Sequence, residues 1–103
     1  MRIRLSVAQL SALECAGIDE EFPALLKAWQ GCYLVFEPAE ADAISSELTD
    51  RSNGEDAAAE QASDPAMRRQ ARGASIALGN LSSRILREVS MLRGWELFKP
   101  SAV

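Results

Sequence analysis

The chain has 103 residues, of which 48% are apolar and 25% charged, with a formal net charge of −4 and no histidine. That length predicts one domain, and the apolar fraction is too high for a disordered tail. The longest unbroken apolar run is Cys32 to Phe36, far short of a membrane-spanning helix. The absence of histidine removes histidine-based triads and most zinc sites.

Met1 leads straight into Arg2-Ile3-Arg4 without the apolar stretch of a secretory signal, so a cytoplasmic, non-membrane protein is expected. Two cysteines, Cys15 and Cys32, are too few for a disulfide framework and read as buried reduced thiols. Arginine outnumbers lysine 9 to 2 and there are 17 alanines, a bias that suggests a GC-rich bacterial or phage genome.

In chain order, Arg2-Ile3-Arg4-Leu5 alternates as a short strand with Ile3 and Leu5 inward. Ser6-Val7-Ala8-Gln9 is a capping box that opens a helix carrying Val7, Leu10, Leu13 and Ile18 inward and stopping at Gly17. A short helical turn is expected around Ala24 to Trp29, with Pro23 acceptable in its first turn. Gly31 breaks the pattern, and Cys32 to Phe36, rich in aromatic and β-branched residues, reads as the second strand. A helix-turn-helix across Gln9 to Trp29 is rejected, because its recognition helix would begin Asp19-Glu20-Glu21 and repel phosphates.

Pro38 starts a second helix running to about Gln61, with an inward stripe of Ile44, Leu48, Arg51, Glu55, Ala58/Ala59 and Ala62. Asn53-Gly54 leaves its continuity open. Asp64-Pro65 caps the last helix, expected from 65 to 93 and ended by Gly94. Its stripe of Met67, Ala71, Ala74, Leu78, Leu81, Ile85, Val89 and Leu92 recurs at spacings of three and four. The expected fold is therefore α+β and mostly helical, with two short strands, one N-terminal helix and a long C-terminal helical hairpin. Its parts are a strand-helix-strand unit over 1–36, the hairpin over 37–93 and an apolar tail over 94–103.

Charge is strongly segregated. Residues 37–64 carry nine carboxylates and one arginine, whereas residues 65–103 carry seven cations and two carboxylates. The carboxylates read as a solvated face, since bundle metal sites of the di-iron type would want Glu-x-x-His pairs. Arg68, Arg69, Arg72, Arg84, Arg87 and Arg93 lie opposite the apolar stripe. Their expected partner is the acidic helix beside them; a nucleic acid is the alternative, set against an isoelectric point of about 4.8. Arg51 and Glu55 stand where the stripe should be apolar, as an ion pair at the core rim or a polar pair at an interface.

No phosphate-binding loop occurs; Gly73 and Gly79 fall inside the last helix, where they are expected to permit close packing. No metal or cofactor is expected, and an enzyme is not favoured, because no histidine can activate a cysteine or serine. Surplus apolar residues (Ile76 and Leu86 off the stripe, Trp95 and Phe98 in the tail) and an open strand edge point to protein binding. The sequence thus predicts a non-catalytic interaction module, expected to form a homodimer, of the size of anti-CRISPR-type or immunity-type inhibitors. Its expected binding residues are Arg68, Arg72, Arg84, Arg87, Trp95 and Phe98, and Glu40 to Glu60 could imitate nucleic-acid phosphates.

Overall fold

A computed structural model of the chain describes residues 1–98, with side chains described as far as Leu92. The fold is α+β and mostly helical. Strand β1 (Arg2–Arg4) alternates as its sequence requires, with Ile3 buried between two exposed arginines. Helix α1 (Val7–Ala16) opens on the capping box: the Gln9 amide donates to Ser6 Oγ at 3.1 Å, and the Ser6 amide to Gln9 Oε1 at 3.0 Å. It ends at Gly17 in the left-handed conformation, φ 65°. Its buried face is Gln9, Ala12 and Leu13; Val7, expected inward, lies on the far side of the helix and is 88% exposed.

Helix α2 (Pro23–Ala28) is followed by two strands where one was expected. Trp29 is the first residue of strand β2 (Trp29–Gln30) and not the end of a helical turn. Gly31 at φ 60° and Cys32 then turn the chain into β3 (Tyr33–Val35). A two-residue hairpin loop with positive φ at its first position matches the twist of the strands, so this glycine makes a hairpin where the sequence suggested a break. The sheet is antiparallel, in the order β1-β3-β2, with Ile3 beside Leu34 and Trp29 on Leu34's other side.

A 3₁₀ turn over Pro38–Glu40 leads into helix α3 (Ala41–Gln61), which is continuous through Asn53 and Gly54. Helix α4 (Pro65–Phe98) absorbs Gly94 and runs past it; a glycine inside a helix costs only about 1 kcal/mol, so it does not by itself end one. The core lies at one end of this hairpin. Leu13, Leu25, Leu34, Ile44, Leu48, Leu78, Leu81 and Ile85 are its fully buried large side chains.

Where α3 meets α4 the contact is made by small polar residues. Ser45 and Ser82 share a buried hydroxyl hydrogen bond, Ser82 also donates to the Ser45 carbonyl, and Thr49 Oγ1 lies 3.2 Å from Ser82 Oγ. One level further along, Ser52 donates to the Ser75 carbonyl at 2.8 Å. Such short side chains let the helix axes approach closely, and each hydroxyl finds its partner across the seam. The expected pairing of the arginine face with the acidic helix is not found. Among the described residues the ion pairs are Lys27–Glu40 and Arg51–Glu55, and neither joins α3 to α4.

Candidate protein-binding faces of the hairpin

At ~1.5 Å per residue, the 34 residues of α4 span about 50 Å. The molecule is 63 Å long but only 22 Å and 21 Å across, with a radius of gyration of 15.6 Å against roughly 13 Å for a compact chain of this size. The sheet, α1 and α2 cover the part of the hairpin near Ile44, Leu48 and Ala77 to Val89, with Ala74 at its margin. Beyond that the hairpin continues without a cover.

The uncovered part of the inward face is an open groove of about 250 Å³, bounded by Cys15 on α1, Ala58 and Ala62 on α3, and Met67, Ala71 and Ala74 on α4. A second depression of about 260 Å³ shares Cys15, Gln70 and Ala74 with it and runs along α1 by Ala8, Ser11 and Ala12. Met67, read from its spacing as core, is 61% exposed here because no described element lies above it; Leu92, at the other end of the same stripe, is 38% exposed. Cys15 was expected to be buried and is exposed on the groove rim; Cys32 is exposed in the hairpin turn.

Arg51 and Glu55 mark the inner end of the groove. Arg51 Nη2 lies 2.7 Å from Glu55 Oε1, with the side chains 29% and 15% exposed, and Glu55 lines the groove. Arg51 Nε is buried without a hydrogen-bond partner. A half-buried pair in an otherwise apolar stripe adds little stability and restricts what can pack against it.

The remaining charges divide between structural duties and solvent. The Glu47 carboxylate accepts from the Ala24 and Leu25 amides, both at 3.1 Å, and so caps α2, whose own N-cap residue Phe22 has no side-chain acceptor. Its position in the sequence places Glu47 only among the carboxylates of the acidic face. Asp64 accepts from the Ala66 amide at the start of α4. Arg84 donates from Nη1 to the Arg4 carbonyl at 2.6 Å, which occupies one acceptor on the outer edge of β1, and Arg2 lies over the Tyr33 ring at 4.4 Å. That edge is therefore less open than two bare strands would leave it. Arg68 donates to the Ala62 carbonyl at 2.9 Å, and Arg69, Arg72 and Arg87 are exposed.

Ile76 and Leu86 are exposed, as their positions off the stripe predict. The side chains of Arg93, Trp95 and Phe98 lie outside the described residues. Among the described residues, no three His, Cys, Asp or Glu side chains converge as metal ligands would. None of the helices among them is long and apolar enough to cross a membrane. Comparison with protein-family models, curated proteins and solved structures returns no match, so function must be argued from these faces.

Proposed function

We propose that the chain is a non-catalytic protein-binding module, cytoplasmic and of bacterial or phage type, that receives an amphipathic helix of its target in the groove at the hairpin end. The observation that carries this reading is the inward stripe of α3 and α4 continuing, as Ala58, Ala62, Met67 and Ala71, past the last described element that covers it. Alanines let a partner helix approach closely, a methionine adapts to its side chains, and the Arg51–Glu55 pair offers a polar contact that would fix the register. Occupying a helix of a target protein is how a small inhibitor could act.

The exposed thiol on the groove rim supplies the test. With Cys32 changed to Ser, a photocrosslinker attached at Cys15 is expected to capture a discrete partner from bacterial lysate. The Ala71→Arg chain, matched in helix content by circular dichroism, should lose that capture. Equal capture by Ala71→Arg, or none by either chain, would sink the reading.

Nucleic-acid binding is the second reading, and the exposed Arg69, Arg72 and Arg87, which make no ion pair among the described residues, favour it. It requires binding at about 50 mM salt that falls steeply as salt rises.

A further inference from the structure

We infer that the back of the hairpin, the surface turned away from the groove, binds a second copy of this chain, with α4 of each copy lying over α3 of the other. At 100° per residue, the side of α3 turned from the groove carries Asp42, Asp50, Asp56 and Glu60 and no cation. The outward side of α4 carries Arg68, Arg69, Arg72 and Arg87 and no carboxylate. All eight residues are exposed, and none is in an ion pair among the described residues. Between the arginines stand the apolar residues Ile76 and Leu86, 63% and 45% exposed.

The hydrogen bonds across the seam fix which residues stand level. Ser45 is opposite Ser82, and Ser52 opposite Ser75. Continuing the same antiparallel spacing brings Asp42 within a turn of the level of Arg87, Asp56 beside the level of Arg72, and Glu60 beside that of Arg68. A two-fold axis parallel to the helices preserves every level while exchanging α3 for α4. Asp42, Asp56 and Glu60 then each meet an arginine of the other copy near their own height, at three levels and twice over, with Ile76 and Leu86 between the charged rows. A rotation about an axis across the helices would instead set acid on acid. A nucleic acid on the same surface would meet the carboxylates of α3 beside the arginines. The groove is on the opposite side and stays open, so this inference and the protein-binding reading can fail separately.

Sedimentation of the full chain at about 50 mM and about 500 mM salt is the first measurement, since exposed charge contacts are screened over this range. A dimer is expected at low salt, with weaker association at high salt. Two triple variants follow: Arg68, Arg72 and Arg87 each changed to Glu, and Asp42, Asp56 and Glu60 each changed to Arg. Each alone should associate ~100-fold more weakly than the natural chain, because every contact becomes one of like charges. Mixed in equal amounts they should pair with each other.

Ile76→Asp, a single exposed change at the middle of the face, should weaken the dimer of the natural chain if either triple variant fails to fold. A natural chain that is monomeric at low salt overturns the inference, as does a dimer indifferent to these changes or a mixture that stays monomeric. A monomer that binds a DNA duplex, and loses it in the arginine variant, overturns it in favour of the nucleic-acid reading.

Discussion

Replacing Gly73 and Gly79 with alanine should stabilise the protein, against the expectation that glycines inside a helix are there for close packing. A Cβ built at Gly73 meets nothing within 4 Å, and one at Gly79 meets only Ser52 Oγ at 3.6 Å, ordinary van der Waals contact. Neither residue has positive φ. In a helix interior, glycine costs about 0.8–1.0 kcal/mol relative to alanine, chiefly through the freedom it loses on folding. The two positions are six residues apart and share no partner, so the gains should add to about 1.5–2 kcal/mol. For a domain of this size that corresponds to a rise in Tm of roughly 6–16 °C. Urea and thermal unfolding followed by far-ultraviolet circular dichroism would measure it, at one fixed protein concentration because association shifts apparent stability. If Gly79→Ala destabilises while Gly73→Ala stabilises, the seam beside Ser52 is tighter than 3.6 Å. If both destabilise, the reasoning is refuted.

Three further outcomes are expected. Leu81→Ala, at a fully buried position between the sheet and the hairpin, should cost about 2–5 kcal/mol in the same unfolding assay, and a negligible change would mean that its face of α4 is not core. Ser82→Ala should cost about 1–3 kcal/mol, because it leaves the buried Ser45 hydroxyl without its partner across the seam; the Ser45→Ala/Ser82→Ala double variant should cost less than the two singles together, and strict additivity would argue against the shared hydrogen bond. Both cysteines should react with a thiol reagent in the native protein as rapidly as after unfolding, and protection of either would contradict its exposure.

The elements that local chemistry defines are the ones the residues announce. Ser6 and Gln9 form the capping box their spacing implies, Gly17 ends α1 in the left-handed conformation, and Leu78, Leu81, Ile85 and Val89 are buried as their periodicity requires. What depends on reach was harder to read. Period alone treats Met67 and Leu81 alike, yet Leu81 has α1 and the sheet above it and Met67 does not. A signal for the groove was present: the inward stripe changes from leucine and isoleucine near Ile44 and Leu78 to alanine at Ala58, Ala62, Ala71 and Ala74. Thirty-six residues are also too few to cover both arms of so long a hairpin. Cys15 faces out for the same reason as Met67. The Trp29–Tyr33 hairpin was obscured by a helix-like run ending at Trp29, and Glu47 as the cap of α2 could not be inferred from residues 23 positions away. The missing arginine–carboxylate pairs follow from the seam itself, where serine and threonine hydroxyls occupy the line of contact.

The bond from Arg84 to the Arg4 carbonyl joins residues 80 positions apart, and that separation matters while the chain is being made. On the ribosome, β1 has its strand partner once Val35 has emerged, but Arg84 follows only about fifty residues later. At ~5–20 residues per second, roughly 2–10 seconds pass in which the nascent sheet has no α4 over Leu13 and Leu34 and an unguarded outer edge. The outer edge of β1 is thus guarded only when nearly the whole chain has been made, and in that interval it is open to pairing with another strand.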